Sequence, residues 1–155
     1  MKIITTFLCL LPLFGFSCGG EKPKGKLIYC SCSETRMAGL GKDYCELIAD
    51  EGKVPKVVIC LNANNDLGEP EIKKEDPATS SDVEQIATLL QEAEVYKLNG
   101  YNKDDEMTGG ASYRAYMEYS SGEKVDIRWY SHTPSEKARQ AYNLIDRFFS
   151  KWRNK

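Results

Sequence analysis

The chain has 155 residues, with 21 Lys and Arg against 23 Asp and Glu, and 41% of it is hydrophobic. That length suits one domain with its own core. Both signs of charge are interspersed, which excludes the basic block of a nucleic-acid binder and the acidic tail of a cation scavenger.

The first element is a leader. Met1-Lys2 precedes an apolar run over residues 3–16, the pattern of a secretory signal. It is shorter than the roughly 20 apolar residues that a membrane span needs. It ends in Gly15-Phe16-Ser17-Cys18-Gly19-Gly20. A small residue directly before a cysteine, with glycines behind it, resembles the lipobox of bacterial lipoproteins. Phe16 stands where the stricter form takes Ala or Ser, so the resemblance is to the looser, Bacteroides-type form. It implies a type II signal peptide over residues 1–17, lipidation of Cys18, and a flexible tether over residues 18–25. A single domain over residues 26–155 follows. More than one acyl chain on Cys18 implies stable anchoring to a membrane. Gly19, in place of the aspartate that holds such proteins at the inner membrane, implies the outer membrane of a bacterial envelope. Gly15 to Gly19 also fits the G-x-S-x-G nucleophile elbow, but that elbow needs a strand before it and a helix after it. Here it would straddle the cleavage point.

Residues 26–32 read as a strand, with Cys30 and Cys32 on one face because strand side chains alternate. Residues 43–49 and 54–61 read as a hairpin around Asp50-Glu51-Gly52-Lys53. Placing Ala49 opposite Val54 sets Cys45 opposite Val58 and diagonal to Cys60, so all four sulfurs would share one face. An even number of cysteines in an exported domain favours disulfides, here Cys30 or Cys32 with Cys45 or Cys60. Zinc sites usually present C-x₂₋₄-C on turns, whereas Cys30-Ser31-Cys32 has one spacer on a strand. The C-x-x-C redox signature is absent.

Residues 62–79 carry three asparagines and two prolines and read as a long loop. A helix then starts at Ser81-Asp82-Val83-Glu84, a capping-box pattern. Val83, Ile86, Ala87, Leu90 and Ala93 mark its buried face. Residues 95–101 are a candidate strand, and residues 102–110 an acidic loop. Counted from Asn102, the sixth and twelfth EF-hand positions hold Met107 and Tyr113 rather than Gly and Glu, so calcium is not expected.

Residues 112–132 form the clearest hairpin. A three-residue loop, Ser120-Ser121-Gly122, pairs Met117 with Val125, Ala115 with Ile127 and Tyr113 with Trp129, all on one apolar face. The other face then carries Arg114, Tyr116, Glu118, Asp126, Arg128 and Tyr130. Arg114 falls opposite Arg128, an unfavourable pairing that Asp126 can relieve. Thr133-Pro134-Ser135-Glu136 opens a final helix whose stripe is Ala138, Ala141, Tyr142, Ile145, Phe148, Phe149 and Trp152. The expectation is an α+β domain: an antiparallel sheet of about six strands in two meanders, with two helices on one face.

No catalytic constellation stands out. The single histidine, His132, lies at a strand end, and no phosphate loop or dinucleotide fingerprint occurs, so neither cofactor nor metal is implied. The expected role is non-catalytic binding of an envelope protein or glycan, with Arg114, Tyr116, Arg128 and Tyr130 as the contact surface. The alternative is a small envelope hydrolase or thiol-redox accessory using Cys30, Cys32 or His132.

Overall fold

The computed structural model describes residues 20–36, 40–103, 110–130 and 134–153. Its strands are β1 (Leu27–Thr35), β2 (Leu40–Ile48), β3 (Lys56–Asn65), β4 (Ile72–Pro77), β5 (Asn102–Lys103), β6 (Ser112–Tyr119) and β7 (Lys124–Tyr130). The helices are α1 (Ser80–Glu92) and α2 (Glu136–Arg153). All seven strands join one sheet in the order β4-β3-β2-β1-β6-β7-β5. The fold is α+β, as the sequence indicates, with one strand more than expected.

The first four strands form a meander. The second group is not one, because β5 runs parallel to β7 and β6 joins β1 to make a continuous sheet. The β6–β7 hairpin has the expected register, Met117 with Val125, Ala115 with Ile127 and Tyr113 with Trp129. Gly122 turns it at φ +92°, a left-handed conformation that glycine adopts without steric penalty.

Residues 62–79 are not one loop. β3 continues to Asn65, and Ile72–Pro77 pairs back onto it. β4 is a charged edge strand, Ile-Lys-Lys-Glu-Asp-Pro, whose Ile72 is 55% exposed. Lysines and a proline on an edge oppose pairing with other chains, and they also erase the apolar alternation of a strand. Residues 95–101 are likewise not a strand. Val95–Leu98 is a 3₁₀ turn with Val95 buried, entered through Glu94 at φ +51°.

The cap of α1 is Thr79, two residues before the expected Ser81. The Thr79 hydroxyl accepts the Asp82 N–H at 3.1 Å, and the Asp82 carboxylate accepts the Thr79 N–H at 2.8 Å. Ile86 and Leu90 are buried as expected, while Ala93 is the exposed C-cap. At the start of α2 the Ser135 hydroxyl accepts the Ala138 N–H at 3.2 Å.

Both helices pack on one side of the sheet. Ile86 and Leu90 of α1 and Ile145, Phe149 and Trp152 of α2 join a core with Leu47, Val57, Met117, Ile127 and Trp129. Tyr142 meets Trp129 edge-on at 5.4 Å between ring centroids, and Trp129 stacks on Tyr113 at 5.2 Å. Burying Phe149 completely contributes about 2–3 kcal/mol before conformational entropy is counted. Across the helix pair, Lys151 Nζ reaches Asp82 Oδ1 at 2.5 Å.

Residues 20–26 lie against the domain. The Lys24 N–H donates to Glu123 Oε1 at 3.2 Å, and the Lys26 N–H to Ser120 Oγ at 3.0 Å. A Cβ added at Gly20 would stand 2.3 Å from the Tyr96 carbonyl oxygen. The expected flexible tether is thus, from Gly20 onward, a strap held at the end of the sheet.

Candidate functional site: the open sheet face

With both helices on one side, no helix among the described residues lies over the other side of the central strands. Alternation decides what it presents. In β1 the partners of buried Cys30 and Cys32 are Tyr29, Ser31 and Ser33; in β2 the open set is Lys42, Tyr44 and Glu46. β6 contributes Arg114, Tyr116 and Glu118, and β7 contributes Asp126, Arg128 and Tyr130. Register joins the two halves, because Ser31 pairs with Tyr116 and Ser33 with Arg114.

The side chains are held to one another. Asp126 receives Arg114 through Nε at 2.9 Å and Nη2 at 3.0 Å. The same carboxylate receives Arg128 through Nε at 3.0 Å and Nη2 at 2.5 Å. Burial alone would raise the Asp126 carboxyl, but hydrogen bonds from Arg128 and Arg114 outweigh it and hold the group below its ordinary range. Arg114 and Arg128 are direct cross-strand partners, as expected, and Asp126 neutralises part of their repulsion.

Aromatic rings fix the centre. The Arg114 guanidinium lies 4.5 Å from the Tyr116 ring centroid, and Tyr116 meets Tyr29 edge-on at 6.0 Å. The Tyr29 hydroxyl donates to Glu46 Oε1 at 2.6 Å. Burial, then this bond to a carboxylate, pushes the Tyr29 phenol well above its ordinary range. Tyr116 donates to Glu118, which with burial also raises its phenol. Between these groups lies a groove of about 330 Å³, floored by Ser31 and Ser33 and walled by Tyr29, Tyr44, Arg114 and Tyr116. Ordered aromatics and an Arg fork on a rigid sheet can grip a partner with little loss of rotamer freedom.

Of the four residues expected at this surface, Arg114, Tyr116 and Arg128 are joined through Asp126 and the cation–π contact, and alternation sets Tyr130 on the same side at the end of β7. Tyr29, Tyr44 and Glu46 also belong to this surface and are not among the four residues expected there. The signal was present, since they alternate with the cysteines assigned to the other face. A second groove, about 440 Å³, opens at the end of the sheet between the strap and α1, lined by Pro23, Ile28, Pro55, Val83 and Tyr119.

The cysteines divide differently from the expectation. Cys45 pairs with Ile59 rather than Val58. That shift of one residue sends Cys60 to the open side, where the Tyr44 hydroxyl hydrogen-bonds its sulfur, while Cys30, Cys32 and Cys45 stay in the core. Pro55 explains the shift. It has no N–H for the ladder, pairing starts only at Ile48 with Lys56, and Val54 is left 77% exposed in the turn. All four cysteines are buried thiols. Among the described residues, no group of three or more His, Cys, Asp or Glu is placed to hold a metal ion. None of their helices is long and apolar enough to cross a membrane. Cys18, His132 and most of the acidic loop after Asn102 lie outside the described residues.

No family model matches the chain, and no curated protein matches it.

Proposed function

We propose that this is a non-catalytic lipoprotein of a bacterial envelope, anchored through lipid on Cys18 in the outer membrane, whose open sheet face binds a protein partner. The observation that carries the binding role is the one-sided placement of the helices. It leaves Tyr29, Tyr44, Tyr116 and Arg114 around a groove that no helix or strand among the described residues covers. Tyr and Arg are the residues that dominate protein–protein contacts, which favours a protein over a glycan. The anchoring rests on the lipobox-like run from Gly15 to Gly20.

Two measurements test the two halves separately. Metabolic labelling with a palmitate analogue should mark the native protein and be lost in Cys18→Ala. Native product that carries no acyl mass sinks the anchoring. Cross-linking in intact envelopes should capture a protein that the double variant Tyr116→Ala/Arg128→Ala no longer captures. Unchanged capture removes the surface, and a carbohydrate adduct assigns it to a glycan instead.

A further inference from the structure

We propose that Cys32 and Cys45 close into a disulfide across the β1–β2 ladder, leaving Cys30 and Cys60 as thiols. The two residues are direct partners in the antiparallel register. The Ala49 N–H donates to the Ile28 carbonyl at 2.8 Å, and the Arg36 N–H to the Gly41 carbonyl at 3.0 Å. Hydrogen-bonded pairs recur at every second residue, so Cys32 and Cys45 form one, with α-carbons about 5.5 Å apart. That spacing lies inside the range disulfides span. The other two sulfurs are excluded by position. Cys30 faces Leu47 and reaches Cys45 only diagonally, and Cys60 lies through the sheet on the other face.

The local chemistry favours the same pair. The Cys45 sulfur lies across from the Cys32 thiol and accepts Arg153 Nη2 at 3.1 Å. The neighbouring Cys32 thiol foremost, and Arg153 after it, outweigh burial and lower the Cys45 thiol in the folded domain. Both sulfurs are buried in the folded domain, so the oxidant acts on the chain as it folds, and the Arg153 contact belongs to the finished fold rather than to the reacting one.

The oxidant is a small-molecule or protein disulfide. The Cys45 thiolate attacks one of its sulfurs, forming a mixed disulfide and releasing one thiolate, which takes the Cys32 proton. The Cys32 thiolate then attacks the Cys45 sulfur and expels the second thiolate, which takes from solvent the proton that Cys45 gave up. Two protein thiols are oxidised to one bridge, and the oxidant is reduced to two thiols. The inference does not depend on lipid at Cys18 or on the open face.

The test uses the full chain carrying Cys9→Ala and Cys18→Ala. It is unfolded under reductant, refolded in buffer containing oxidised glutathione, alkylated and digested. The expected product is a cross-link between the peptides of Cys32 and Cys45, with Cys30 and Cys60 alkylated. It persists in Cys30→Ser and is lost in Cys32→Ser. Four alkylated cysteines, or a bridge that includes Cys30 or Cys60, overturns the assignment.

Discussion

Arg114 stands directly across the ladder from Arg128, and the Asp126 carboxylate is hydrogen-bonded to both. Like charges so placed destabilise a sheet unless something lies between them. Asp126→Asn removes the charge while keeping the shape. It should lower stability by about 1 kcal/mol in urea unfolding. Adding Arg128→Ala should recover part of that loss, because the repulsion goes with it. Additive losses in the double-mutant cycle would show that the three groups act independently.

Asp82 gives a prediction in pH. Burial alone would raise its carboxyl, but hydrogen bonds from Lys151 and from Thr79 outweigh it and hold the group at about 2, against an ordinary 3.8. A folded value below the unfolded one means stability present above the ordinary value and lost as pH falls through the folded one. Asp82→Ala should therefore be less stable than the native chain by about 1 kcal/mol at neutral pH. The gap should close between roughly pH 4 and pH 2. A gap that does not vary with pH would show that the charge is not the cause.

Phe149 is the largest side chain with no exposure, set between Phe148 and Trp152. Phe149→Ala should cost about 3–5 kcal/mol by chemical denaturation, a large share of a domain's whole stability. Tyr116→Ala on the open face should cost far less while abolishing partner capture. That separation of stability from binding tests whether the open face serves recognition rather than folding.

The strap tests a close approach. A Cβ at Gly20 would meet the Tyr96 carbonyl oxygen at 2.3 Å, a backbone atom with little room to give way. Gly20→Ala should lift the strap, seen as faster tryptic cleavage after Lys24 with an unchanged melting temperature for the rest of the domain. Equal cleavage rates would mean that this contact does not hold the strap down.

How much was legible follows the strength of each local signal. The β6–β7 hairpin and α2 could be read because apolar residues alternate on both strands around Gly122 and recur at helical spacing from Ala138 to Trp152. β4 could not, since an edge strand has little to bury and Ile72-Lys73-Lys74-Glu75 shows no period of two. The β2–β3 register failed on Pro55, and Cys60 changed face with it. Further along, Leu61 and Asn62 together oppose Asp43, a bulge in which Asn62 takes φ +56° and gives its N–H to Asp43 Oδ1 at 2.9 Å. On the open face Arg114, Tyr116, Arg128 and Tyr130 could be found within one hairpin. Their neighbours on β1 and β2 depend on the β1–β6 pairing, which joins residues about eighty positions apart and leaves no local trace.

The contact of Gly20 with Tyr96 bears on how freely this molecule can swivel. Only Gly19 separates position 18 from that contact, and a fully stretched chain covers only about 7 Å in two steps. Acyl groups at position 18 would therefore hold the strap end of the sheet, with the groove between Pro23 and Val83, hard against the headgroups. The tyrosine-rich side would then swing through a narrower arc above the bilayer, on a stub rather than a leash.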